Sequence, residues 1–220
     1  MRDAGRRTRR LWDTVFVAKN RSAVLLIVIA LAAALGGAFL ARHVGPAPVA
    51  LQNGSFLPER RPLAAFTLVD HEGQPFGNAQ LKGRPSLLFF GFTHCPDVCP
   101  TTLAMLAGLE RQQPVPGLRM LFVTVDPQRD DRLTLKRYVN AFSPTLIGLR
   151  GADAQLDPLL HSLSAVRFIQ QTPDGGYSVD HSATLYLIDA QGRLAAIFTP
   201  PFSLPALESD LRLAARALDR

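Results

Sequence analysis

Cysteine is scarce in this chain, two among 220 residues, and that excludes a disulfide framework as what holds the fold together. None is needed, because a domain of roughly 160 residues buries about two-thirds of its unfolded surface. Net charge is also scarce once it is placed along the chain. The formal +6 lies wholly in residues 1–42, where eight Lys or Arg face only Asp3 and Asp13. Residues 43–220 carry 16 charges of each sign. A neutral globular part lacks the basic surface that nucleic acid requires, so no nucleic-acid partner is expected. Internal repeats and low-complexity segments are absent too.

What is present concentrates in one stretch, Phe89 to Leu103, which holds both cysteines. Ser86–Phe92 is an apolar run bounded by Gly83-Arg84-Pro85 and reads as a buried strand; Leu103, Leu106, Ala107 and Leu109 then follow helical spacing. Cys95 and Cys99 therefore sit on a strand-to-helix turn. Unpaired amides and the helix dipole there favour thiolates, so both thiols are expected below the free value of about 8.5. Thioredoxin-like redox pairs have two intervening residues; here there are three, which lets the sulfurs flank a third atom. Two thiolates suit Cu(I) or Zn, and one imidazole would complete a three-coordinate copper site. A structural or redox Cys95–Cys99 disulfide competes on spacing alone. A peroxidase site is disfavoured, because one residue separates Thr93 from Cys95 where that chemistry wants two.

Ser22–Ala41 is 20 residues without a charge, long enough at about 1.5 Å per residue to span the roughly 30 Å hydrocarbon core. Seven of the eight basic residues precede it, which keeps the N-terminus cytoplasmic and exports the rest. The expected organisation is a basic N-terminus (1–21), a transmembrane helix (22–41), a tether (42–61) and a domain (62–220). Trp12 and Phe16 fit interfacial anchors. A cleaved signal peptide is the alternative; Phe39 and Pro48 spoil cleavage after Ala41 and Ala47, while Gly36-Gly37-Ala38 stays open. An Arg-rich mitochondrial presequence is a further alternative.

In the domain, Phe66–Val69 and Pro75-Phe76 suggest a small hairpin, Met120–Val125 a second buried strand, and Leu133–Phe142 a helix capped by Asp130 or Asp131. Leu146–Leu149 reads as a strand, Ala154–Ser162 as a helix, Ala165–Ile169 as a hairpin arm and Gln171–His181 as a loop. Thr184–Asp189 and Leu194–Phe198 form a hairpin, and Leu204–Leu218 a final helix. The order implies an α/β, thioredoxin-like fold: a central mixed sheet flanked by helices, with an N-terminal hairpin extension. In that order the segment ahead of Thr184 packs against the cysteine turn, so His181 is the histidine best placed to face Cys95 and Cys99. A hydrogen-bonded loop histidine is the other reading of it. His43, His71 and His161 have no partners in sequence. His94 reads as a partly exposed loop residue beside Cys95, with assistance to metal or proton transfer as the other reading. Asp97 and Asp180 read as turn or orienting residues, or as charges that tune the site or dock a basic or metal-loaded partner.

Leu81-Lys82-Gly83-Arg84, Phe90–Pro100 with its Cys95-Pro96-Asp97-Val98-Cys99-Pro100 core, Phe122–Asp130 and Tyr177–Ser182 with Asp180-His181-Ser182 together resemble the Sco/SenC proteins over about Phe66 to Phe198. These are membrane-anchored, thioredoxin-like copper proteins of cytochrome c oxidase assembly. The resemblance implies that Cys95, Cys99 and His181 ligate one copper, as Cu(I) or Cu(II). It implies a chaperone rather than an enzyme, delivering copper to the binuclear centre of oxidase subunit II after loading from an upstream donor. The implied location is the bacterial inner membrane with the domain in the periplasm, or the mitochondrial inner membrane. Two alternatives stand beside it: a thiol–disulfide reductase that uses Cys95 and Cys99 to keep subunit II cysteines reduced, and a redox sensor. Asp131-Arg132 replaces the usual Thr-Pro, and Ala190 the usual Pro. Ala183 stands about where thioredoxins carry a cis-proline, which argues against a general oxidoreductase.

Overall fold

Leu87, Leu88, Phe89 and Phe90 are almost completely shielded from solvent, so the run containing them lies in the middle of a sheet covered on both faces. In the computed structural model, which describes residues 23–39, 50–173 and 175–218, the chain forms these elements in order. They are α1 (residues 23–39), β1 (Gly54–Pro62), β2 (Thr67–Asp70), β3 (Pro75–Gly77), α2 (Asn78–Leu81), β4 (Ser86–Gly91), α3 (Val98–Gln112) and β5 (Arg119–Thr124). Then follow α4 (Arg132–Asn140), β6 (Ile147–Arg150), α5 (Asp153–Leu163), β7 (Arg167–Gln171), β8 (Tyr177–His181), β9 (Leu185–Ile188), β10 (Arg193–Phe198) and α6 (Leu204–Leu218).

Of the expected span Ser22–Ala41, α1 is the described part, and the flanking residues with Trp12, Phe16 and His43 lie outside it. Among the described residues no helix is long and apolar enough to cross a membrane. Seventeen residues of helix rise only about 25 Å.

From β1 onward the strands build one eight-stranded mixed sheet in the order β1-β10-β9-β4-β5-β6-β2-β3. β4, β5 and β6 run parallel, and β9 lies antiparallel to β4. Parallel strands need helical crossovers, which α3 and α4 supply, and their burial on both faces explains why β4 and β5 read as continuous apolar runs. This is the mixed sheet flanked by helices that the sequence led us to expect. The β2–β3 hairpin joins it at one edge through β2–β6 pairing.

Two expectations change. The tether does not extend to Arg61: Gly54–Pro62 is β1, paired with β10. Its alternation is obscured by a register shift between Phe56 and Arg61, and its inner end is fixed by a remote residue. Asp210 of α6, fully buried, accepts the Gln52 and Asn53 amides at 2.8 and 2.9 Å. Likewise Gln171–His181 is not simply a loop. Residues 177–181 are β8, paired with β7 in a separate two-stranded ribbon in which Arg167 lies opposite His181.

Candidate metal centre

β4 ends at Gly91, and the chain turns through a Cys95 N–H to Phe92 carbonyl bond of 3.2 Å before entering α3. Cys99 is the second residue of that helix. Pro100 is tolerated next, because first-turn amides have no intrahelical acceptor. The Asp97 side chain makes no cap bond to a helix amide. Instead the Cys99 N–H points to Cys95 Sγ at 3.5 Å, so a sulfur receives an amide that a capping oxygen would otherwise take.

His181 closes β8 and reaches the same spot. Its Nε2 is 3.5 Å from Cys99 Sγ, and the donor atoms of Cys95, Cys99 and His181 all lie within 4.8 Å of one another. Three ligands that hold one ion at about 2.0–2.3 Å stand about 3.5–4.0 Å apart. Closure by up to about 1 Å makes this a site. Both cysteines are free thiols; Cys99 is fully buried and Cys95 half-buried.

The tautomer of His181 follows from its other nitrogen. Nδ1 is 3.2 Å from the Ser182 carbonyl oxygen, which can only accept, so Nδ1 carries the proton and Nε2 presents its lone pair to the sulfurs. Burial lowers the imidazole pKa from its ordinary value of 6.5, against smaller raising effects of the Ser182 bond and Asp180, so the ring is neutral at pH 7. Its faces are fixed by edge contacts with Phe89 and Phe92, with centroids 6.1 and 5.8 Å away.

The expected low thiol pKa fails at Cys99. Burial, with the neighbouring Cys95 adding to it, pushes this thiol well above its ordinary value; loss of solvent outweighs the helix-terminal field. The buried sulfur is thus held as a thiol until a cation replaces its proton. Asp180 accepts from Gln170 Nε2 at 2.7 Å and braces the ribbon rather than the imidazole. Asp97 lies 3.5 Å from the Thr101 hydroxyl. His71 is buried, accepting the Gly148 amide on Nδ1 at 2.9 Å, and His161 lies in the last turn of α5.

Several residues shape the centre in roles that the sequence does not suggest. A Cβ on Gly91 would lie 2.9 Å from Cys99 Sγ and 2.5 Å from the Phe122 ring, so only glycine leaves room for the buried sulfur. Asp130, fully buried, accepts the Thr93 amide at 3.0 Å and the Thr93 hydroxyl at 2.6 Å, together with the Thr124 hydroxyl. Helix capping falls to Asp131, which accepts the Thr134 amide at 2.7 Å. Arg129 donates to Asp126 and to the Tyr177 carbonyl at 3.2 Å, and its guanidinium lies over the rings of Tyr177 (4.0 Å) and Phe92 (5.7 Å). Asp126 also accepts the Tyr177 hydroxyl at 2.8 Å. Arg129 therefore fastens the strand that carries His181 to the loop that carries the cysteines. The available signal was Asp126-Pro127-Gln128-Arg129-Asp130, three charges directly after a buried strand.

The SCO1/SenC family model matches residues 58–215. The chain belongs to the SCO1/SenC family. A Stutzerimonas stutzeri protein is 37% identical over 187 residues, 83% of this chain and 90% of that one. Copper-bound structures are among its solved relatives. Arabidopsis thaliana ScoI with copper bound aligns over 70% of this chain and 98% of its own at 29% identity, TM-score 0.66. Bradyrhizobium japonicum ScoI with copper bound aligns over 72% and 98% at 37% identity, TM-score 0.59. The chain spans 47–68% of the length of the vertebrate mitochondrial SCO2 homologs it also matches. In this SCO1/SenC chain the thioredoxin-like domain brings together the three residues expected as ligands and, among the described residues, leaves His71 and His161 outside the group.

Proposed function

We propose that this chain is a copper chaperone of cytochrome c oxidase assembly, carrying one copper ion on Cys95, Cys99 and His181 and delivering it to the binuclear centre of subunit II. The observation that carries the reading is the convergence of two thiol sulfurs and an imidazole Nε2 whose lone pair faces them. Copper is the fitting cargo because two soft sulfurs and one imidazole suit Cu(I), with the same set able to hold Cu(II), while structural zinc wants four ligands. The two copper-bound ScoI structures support the choice. Phe89, Phe92 and the Ser182 carbonyl hold the imidazole in place for the ion, and the Arg129 brace keeps β8 against the cysteine turn. We further propose that Ser22–Ala41 anchors the chain in the bacterial inner membrane with the domain in the periplasm. An upstream donor loads the site there.

The second reading is thiol–disulfide exchange with the subunit II cysteines. It is favoured by the pairing of a half-exposed sulfur, Cys95, with a buried free thiol, Cys99, as attacking and resolving groups. His181→Ala separates the two, because it spares both thiols. In the full chain, reduced and anaerobic, the chaperone reading expects copper affinity to fall by more than about 100-fold, beyond the 10–100-fold typical of losing a residue that only orients a ligand. Oxidase copper-centre assembly should fail in cells with the fold intact. A variant that binds one copper as tightly as the parent and supports assembly overturns the three-ligand site and leaves the dithiol reading.

A further inference from the structure

His94 is the histidine of the cysteine turn that the three-ligand group does not use, and its hydrogen bonds fix its tautomer. The Thr93 hydroxyl has one proton, and it goes to Asp130 Oδ1 at 2.6 Å, a carboxylate oxygen with no solvent exposure. That leaves Thr93 Oγ1 only as an acceptor towards His94 Nδ1, 3.1 Å away. The neutral ring therefore carries its proton on Nδ1, and the Asp130 charge 3.6 Å from the same nitrogen reinforces the choice. Nε2 is bare, on a side chain 51% exposed to solvent.

His181 is built the same way, with Nδ1–H on an oxygen and Nε2 bare. Metal-ligating imidazoles are oriented by an oxygen on the other nitrogen in this manner. Two histidines with the metal-binding arrangement are thus associated with Cys95, one converging with it inside and one beside it in sequence at the surface. Cys99 has no exposed surface while Cys95 and His181 are both half-buried, so an ion reaches the group past Cys95 or His181, and Cys95 is the one with a second imidazole beside it in sequence.

Resting on the copper reading above, we infer that His94 Nε2 is an outer copper ligand through which Cu(I) enters and leaves the site. On loading, the ion is first held by His94 Nε2 and Cys95 Sγ. The bond to His94 breaks as bonds to Cys99 and His181 Nε2 form. The Cys95 thiol proton is released to water as the ion is first held and the Cys99 thiol proton as it moves inward; copper remains Cu(I), and no electron moves. On delivery the same exchanges run in reverse.

The test uses the full chain in two measurements. Nitrogen-15 NMR of the reduced, metal-free protein reads the His94 tautomer directly, with Nδ1 protonated and Nε2 bare expected. Stopped-flow removal of Cu(I) by bathocuproine disulfonate then compares wild type with His94→Gln, which keeps a side-chain donor near Thr93 but lacks the imidazole. Equilibrium copper affinity should be unchanged, and the transfer rate about tenfold slower, which corresponds to about 1.4 kcal/mol in the barrier. An Nε2–H tautomer, or equal transfer rates with tight binding in both proteins, overturns the inference and leaves the three-ligand site standing. If the wild type holds no copper on Cys95, Cys99 and His181, the functional reading fails and takes this inference with it.

Discussion

Replacing Gly91 with Ala should damage stability and copper binding together, because the added methyl meets both the core and the site. Its Cβ would stand 2.5 and 3.1 Å from two carbons of the Phe122 ring and 2.9 Å from Cys99 Sγ. Phe122 and Cys99 are both fully buried, so neither can swing into solvent, and Gly91 is itself paired with Thr124 in the parallel ladder. Forcing an extra methyl into a packed core costs about 1–3 kcal/mol. For a domain of this size that lowers Tm by about 2–4 °C for each kcal/mol. Gly108→Ala is the control. Its Cβ meets Leu204 at an ordinary 3.4 Å on the interior of α3, so it should be neutral or stabilise by up to about 1 kcal/mol. Urea titration of the reduced, metal-free proteins gives the stabilities, and chelator competition gives copper affinity. A Gly91→Ala protein with parental stability and affinity would refute the claim that this glycine makes room for the sulfur.

Arg129→Ala removes the bond to Asp126 and the stacking on Tyr177 and Phe92. A loss of about 1–3 kcal/mol is expected, with faster amide exchange in β7 and β8 but not in β9 and β10; equal acceleration in both pairs would deny the brace. Copper affinity should rise with pH across neutrality, since the ion must displace a proton from a Cys99 thiol whose pKa burial has raised. A flat profile from pH 6 to 8 would contradict that. For the metal-free protein the sign follows from the lowered pKa of His181: below about 6.5 the unfolded state takes up the proton first. Stability therefore falls as pH drops through that window, and thermal melts should show a smaller fall in His181→Ala. Asp210→Ala strands the Gln52 and Asn53 amides; a cost of about 1–3 kcal/mol is expected, with loss of exchange protection at those two amides.

The sheet core was legible because β4, β5, β9 and β10 are apolar runs whose burial needs no long-range information. The final helix, Leu204–Leu218, is as read from its periodicity. What escaped depended on partners distant in sequence. β1 is largely exposed and is read as a strand only from its pairing with β10 and the Asp210 lock. β8 was masked by its mixed polarity and the nearby Gly175-Gly176 turn, and its pairing with exposed β7 leaves little apolar alternation. At the centre, residue types and order pointed to the two sulfurs and His181. The electrostatics were misjudged, because a helix start says nothing of how deeply Cys99 is buried. The roles of Gly91 and Arg129 exist only as distances across the fold.

X-ray absorption at the copper edge of the full chain, reduced and loaded with Cu(I), tests the central claim most directly. The account predicts one copper per chain with two sulfur neighbours and one imidazole nitrogen, the nitrogen vanishing in His181→Ala. A wild-type spectrum with sulfur neighbours alone, or one unchanged by His181→Ala, would contradict it.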